Sequence, residues 1–219
     1  TLGWGEMAAW FRRAKQLDPK PRLTLNDYPP LDGDDLMNAH LNHFYGQIEA
    51  LQKATAPIEA IGFQCHMGSR PIPPTSLLKG LDRFSKFGLP IVVTEFDMEN
   101  TETDLQARYM RDFMTALFSH PSVANITQWG FWQGSHWMPN AALWDNEWKI
   151  RPHGQVYLDL IHKQWSTKAA VRAKSNGSAT VRAFYGTYNV TIQGKGGAKK
   201  MVKVSHLKGQ KSVFQVKMD

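Results

Sequence analysis

The stretch Ile91-Val92-Val93-Thr94-Glu95-Phe96-Asp97 sets an apolar run ahead of two carboxylates. Its Ile-Val-Val core is apolar on both faces, which is the pattern of a buried parallel strand covered by helices. In a parallel α/β layout, reactive groups sit at the C-terminal ends of strands. Glu95 and Asp97 stand at such an end.

Working outward, the pattern alternates between helix-like and strand-like segments from Gly3 to about Trp165. Helices are expected at Glu6–Lys15, Leu36–Ala54, Ser76–Phe87, Asp104–Ser119 and Gln155–Gln164. Between them lie expected strands at Arg22–Leu25, Ile58–His66, Leu89–Phe96 and Ile126–Phe131. Strands separated by helices imply βαβ crossovers. A full (β/α)8 TIM barrel needs about 250 residues, and four strand–helix units are half of one. The expected fold class is therefore α/β, the second half of such a barrel.

After Trp165 the character changes. Short alternating segments at Ala179–Phe184, Tyr188–Gln193, Met201–Val204 and Ser212–Met218, separated by glycines, predict a small all-β sandwich-like domain. The charge divides at the same place. The chain carries +7 overall, but residues 166–219 hold 11 Lys and Arg against one acid, a balance of +10, leaving −3 for residues 1–165. Two domains are expected, 1–165 and 166–219. The basic segment is read as a lysine-rich solvated surface, and no nucleic-acid partner is assigned.

The single cysteine, Cys65, excludes an intrachain disulfide and a cysteine-based zinc site. No His or carboxylate spacing supports a metal, and no cofactor is expected. No apolar run reaches the ~20 residues of a membrane helix, so no membrane partner is expected.

Each expected strand ends in a polar or aromatic cluster: Asn26-Asp27-Tyr28, Gln64-Cys65-His66, Glu95-Phe96-Asp97 and Trp129-Gly130-Phe131-Trp132. Carboxylates, an imidazole, amides and indoles would converge on one rim. Hydrolysis of a glycosidic bond uses two carboxyl groups, one as nucleophile or base and one as acid. Glu95 is the candidate nucleophile. His66 is placed to hydrogen-bond it, and Asp97 to orient His66. Trp129 and Trp137 are candidate walls for a sugar ring.

These residues resemble glycoside hydrolase family ten, the β-1,4-xylanase family. The resemblance rests on Leu25–Tyr28, Ile61–His66, Ile91–Asp97 and Ile126–Trp132, in the order of the family's fifth to eighth strands. It implies a retaining endo-acting xylanase with Glu95 as nucleophile and His66 bonded to it. It also implies substrate contacts from Asn26, Tyr28, Gln64, Trp129 and Trp137, with xylan or xylo-oligosaccharide as partner. A secreted, extracellular location follows by the same resemblance. Two departures stand out. Cys65 replaces the commoner Gly or Ser, and Pro29-Pro30 follows Tyr28 where Asn is usual. The family's acid/base glutamate, in an Asn-Glu pair closing the fourth strand, has no counterpart ahead of the first helix. It is expected in a missing N-terminal half. That half would be an N-terminal half-barrel polypeptide, or self-association would cover the open edges. Two alternatives stay open: a non-catalytic carbohydrate-binding half-barrel, and a structural or adhesion module working through the basic domain.

Overall fold

The computed structural model describes residues 3–35, 37–68 and 71–217. Contacts divide the chain into two compact units, the first ending at Tyr157 and the second beginning at Leu158.

In the first unit, helix α1 (Trp4–Leu17) precedes strand β1 (Thr24–Asp27). Helix α2 (Ala39–Lys53) leads to β2 (Ala60–Phe63) and the short β3 (His66–Met67). Helix α3 (Pro74–Ser85), strand β4 (Ile91–Met98), helix α4 (Thr103–Ser119) and strand β5 (Val123–Gln128) follow. Helix α5 (Pro152–Asp159) begins in this unit and ends two residues into the second. The expected start of α2 at Leu36 lies outside the described residues.

All the strand pairs of this unit are parallel. β1 pairs with β2, β2 and β3 pair with β4, and β4 pairs with β5. The strands thus stand side by side in chain order, as right-handed crossovers through helices produce. The sheet is open, with β1 and β5 as its edges among the described residues.

Register decides what each strand presents. The rows Leu25–Ile61–Ile91 and Asp27–Phe63–Val93 face the helices. Phe63 meets Phe44 of α2 and Phe84 of α3 edge-on, at ring-centroid distances of 5.4 and 4.9 Å. Each helix turns an apolar stripe at helical spacing onto this face: Leu41, Phe44, Ile48 and Leu51 on α2, and Leu77, Leu81 and Phe84 on α3. Helix α4 adds Tyr109, Met110, Phe113 and Leu117.

Helix α1 behaves differently. The sequence gives it an apolar stripe, yet only Ala8 is buried, and Trp4, Trp10 and Leu17 are exposed.

Several polar groups are deeply buried in this unit, among them Ser76, Asp97, Gln106 and His153. His153 of α5 is 1% exposed, and its Nε2 lies 3.3 Å from the Ala141 carbonyl. Burial pushes its imidazole down to about 4. The unfolded chain takes up this proton near 6.5, whereas the folded one resists until about 4. Stability contributed above pH 6.5 is therefore lost as pH falls through that window, by roughly 3 kcal/mol in all. Thermal midpoints measured from pH 7 to 4 should fall more steeply for the natural chain than for His153→Leu.

The second unit holds one antiparallel hairpin among its described residues, β6 (Gly186–Gln193) with β7 (Lys199–His206). The expected sandwich does not form there. Ala179–Phe184 and residues 212–217 are not strands, while Met218 and Asp219 lie outside the described residues. Alternation alone does not make a strand, because each strand also needs a paired neighbour to satisfy its backbone.

Candidate functional site

The site is built on a fault in β4. From Val93 to Phe96, β4 uses three residues where β5 uses two, Ile126 to Gln128. On its other side β4 spends four residues, Val93 to Asp97, against three from Phe63 to His66. One extra residue is thus inserted at Thr94–Glu95, a β-bulge. Its consequence is geometric. In strict alternation Glu95 would share the helix-facing side with Ile91 and Val93. Instead Phe96 takes that side, stacking on Phe113 at 4.4 Å, and Glu95 turns with Thr94 to the open face.

On that face a relay of contacts leads to Glu95. The Trp137 indole donates to Asp97 Oδ2 at 2.8 Å. His66 Nδ1 donates to Asp97 Oδ1 at 2.8 Å. The other ring nitrogen, Nε2, lies 3.3 Å from Glu95 Oε2. Asp97 is fully buried, and burial raises its carboxyl above the usual range. The His66 and Trp137 hydrogen bonds oppose that rise. With Nδ1–H committed to Asp97, His66 turns Nε2 to Glu95. A proton on Nε2, or on Glu95 itself, makes that contact a hydrogen bond.

Two exposed indoles flank the imidazole. Trp137 meets the His66 ring edge-on at 5.0 Å and Trp129 at 6.2 Å. Their faces are 61% and 45% exposed as residues, beside a half-buried carboxylate. Aromatic walls beside a carboxylate suit a ring that is apolar on its faces and hydroxylated at its edge.

The remaining candidates sit differently. Asn26 of β1 reaches across Gly62 of β2, where a Cβ would come within 2.5 Å of its Oδ1. There it accepts a hydrogen bond from the Thr94 hydroxyl at 2.9 Å. Tyr28 is exposed and packs edge-on against His40 at 4.6 Å, and His40 is held by Asp27 at 3.0 Å. Its contacts lie with this pair rather than with the Glu95 relay. Gln64 lies in the break between β2 and β3, next to Cys65, whose φ is +62°. That left-handed backbone favours glycine, so a cysteine stands there under strain. Its thiol is pushed up to about 12 by burial, which makes it an inert core group.

Sequence reasoning missed His136. Its Nδ1 accepts from the Met138 amide at 3.0 Å, and its Nε2 donates to the Trp129 carbonyl at 2.8 Å. It therefore ties the Trp129 backbone to the loop carrying Trp137. Gly130 makes room for it, with φ of +65° and a would-be Cβ 2.4 Å from the imidazole. The signal was the glycine directly after Trp129. Gly130→Ala is expected to destabilise the fold by about 2–3 kcal/mol, through backbone strain and the displaced ring. A drop in the urea midpoint would show it.

The five tryptophans from Trp129 to Trp148 fall into two groups, and only Trp129 and Trp137 stand beside His66. Trp132 stacks on Trp148 at 5.5 Å. Trp144 and Trp148, with Phe131 and Tyr157, line a cavity of about 400 Å³ at the β5 end. Gln128 also lines it, and its amide nitrogen and oxygen are buried with no partner among the described residues. No cluster of three or more metal-binding side chains occurs among the described residues, and no helix there is long and apolar enough to cross a membrane.

The profile of the family described as Glycosyl hydrolase family 10 matches residues 1–160. The chain belongs to glycosyl hydrolase family 10. Among relatives of this family-10 chain, endo-1,4-beta-xylanase 3 of Arabidopsis thaliana is 32% identical over 191 residues, covering 87% of this chain and 25% of that protein. The anti-sigma-I factor RsgI6 of Acetivibrio thermocellus is 31% identical over 192 residues, covering 85% of this chain and 24% of that protein. Xylanase 10B from Thermotoga petrophila RKU-1, solved in complex with xylobiose, superposes with a TM-score of 0.66 at 29% identity. That match covers 75% of this chain and 53% of that one. The chain thus spans about a quarter of those curated relatives and about half of the solved xylanase. A (β/α)8-type barrel is the architecture to which its parallel sheet belongs.

Proposed function

We propose that this chain supplies strands five to eight of a retaining endo-β-1,4-xylanase barrel, with Glu95 as the nucleophile. The observation that carries the proposal is the relay Trp137–Asp97–His66–Glu95, set between two exposed indoles at the ends of parallel strands. The Glu95 carboxylate attacks the anomeric carbon as the leaving oxygen departs, giving a glycosyl ester. Water then cleaves that ester. Asp97 holds His66 so that Nε2 faces Glu95 throughout. Trp129 and Trp137 hold the sugar ring at the ester.

The acid/base carboxylate belongs in this reading to a segment outside the sequence, as do the partners of the open edges. Three features support it. The β1 and β5 edges are open, the stripe of α1 is only partly covered, and the Gln128 amide lacks a partner among the described residues, beside an aromatic cavity. A sheet edge of this kind seeks another strand. The complement is a half-barrel polypeptide or a second copy. Since xylan is an external polymer, the protein is proposed to act outside the cell that makes it. Recovery of the protein only from cell pellets would count against this.

The test is complementation. The chain is mixed with a polypeptide carrying the first four strands of a family-10 barrel, and xylan cleavage is followed. The pair should cleave xylan and the chain alone should not. A monomeric chain that cleaves xylan by itself would show that its acid is internal, and would overturn this division.

A second reading is favoured by one finding: a relative of equal similarity is called an anti-sigma factor. In it the indole-walled site binds xylo-oligosaccharide without cleaving it. Binding of xylobiose by the complemented barrel, with no turnover of even an activated aryl xyloside, would select that reading.

A further inference from the structure

The hairpin of the second unit has a face that the catalytic reading leaves unused. Alternation along β6 and β7 exposes Thr187, Asn189, Thr191 and Gln193 on one strand, and Lys199, Met201, Lys203 and Ser205 on the other. Register sets Asn189 opposite Lys203 and Gln193 opposite Lys199. An amide and an ammonium are therefore neighbours twice along one face of the hairpin. The two lysines are about 13 Å apart at the rise of a strand. Residues 166–217 contain no Asp or Glu at all, so nothing in that segment answers their charge from a side chain.

We propose that this face binds polysaccharide through sugar carboxylates. An ammonium and an amide side by side offer a carboxylate one charge-assisted hydrogen bond and one neutral one. Threonine hydroxyls between them suit ring hydroxyls. The exposed side chains of this face include no aromatic ring, so it lacks the stacking platforms on which nucleic-acid bases rest. Choosing a polysaccharide also rests on reading the first unit as xylan-directed. Uronate branches on xylan supply such carboxylates. The second unit would then hold the chain on acidic regions of that polymer.

The experiment is affinity electrophoresis of the full chain through gels holding glucuronoxylan, polygalacturonate, neutral arabinoxylan or duplex DNA. Retardation by glucuronoxylan is expected, and stronger retardation by polygalacturonate would overturn the assignment to xylan. The excess over retardation by neutral arabinoxylan should vanish in 1 M salt, where charge is screened within about 3 Å. The double variant Lys199→Gln/Lys203→Gln should weaken binding about tenfold, and so should Asn189→Glu. The double variant Lys208→Gln/Lys211→Gln, equal in charge but off this face, should leave binding unchanged. Any retardation by neutral arabinoxylan reports the indole-walled site and should persist in 1 M salt, which separates this surface from the catalytic reading. Equal retardation by neutral arabinoxylan, stronger retardation by DNA, no retardation by glucuronoxylan, or equal loss in the off-face variant would each overturn the proposal.

Discussion

Glu95→Ala is expected to lower xylan cleavage by the complemented barrel by more than about 10³-fold. The carboxylate is the only group the relay delivers to the open face, and the bulge in β4 exists at that position. Removing it takes away the atom that bonds to the anomeric carbon, and nothing beside it can substitute. Trp129, Trp137 and His66 keep their backbones, so xylo-oligosaccharide binding should persist. The shortened side chain leaves space for a small anion. Added azide should restore turnover of an aryl xyloside and yield the α-xylosyl azide, since attack comes from the face Glu95 occupied. A loss under tenfold, or a β-configured azide product, would remove Glu95 from the nucleophile's role.

The largest effect on stability is expected from Phe84→Ala. Phe84 is fully buried and stands where sheet and two helices meet. Its ring lies 4.9 Å from Phe63 at 88°, 5.9 Å from Phe44 and 5.4 Å from Tyr45. Deleting such a ring forfeits its transfer energy and leaves a cavity that three rigid neighbours cannot close. The cost is about 3–5 kcal/mol, a large share of the 5–15 kcal/mol that holds a typical domain folded. The urea midpoint should fall accordingly with the slope unchanged. Phe84→Leu should recover more than half of the loss. A midpoint shift below about 1 kcal/mol would mean that this aromatic cluster is not where the first unit gains its stability.

The strand order was legible because apolar runs such as Ile91-Val92-Val93 announce burial on both faces, and because a helix stands between each pair. The site was legible for a related reason: polar clusters close every strand, and strand ends are where parallel sheets expose chemistry. The direction of Glu95 was not legible. Simple alternation assigns it to the side of Val93, and only the pairing on both neighbours reveals the inserted residue. His136 was missed because its work is done through backbone partners, the Trp129 carbonyl and the Met138 amide, which leave no side-chain pattern. The second unit misled for the opposite reason. Ala179–Phe184 alternates as a strand should, but alternation is a local property and pairing is not. The partly exposed stripe of α1 carries the same lesson, since a helix announces its apolar face whether or not the partner belongs to the same stretch of chain.

Covalent trapping tests the central claim most directly. A 2-deoxy-2-fluoro-xylobioside with a dinitrophenolate leaving group needs little help from an acid, and its fluorine slows hydrolysis of the ester it forms. Intact-mass analysis of the complemented barrel, followed by peptide sequencing, reads where the sugar has bonded. A single added 2-deoxy-2-fluoro-xylobiosyl group is expected on Glu95, absent in Glu95→Gln. A label on another carboxylate, or unlabelled protein from a preparation that cleaves xylan, would contradict it.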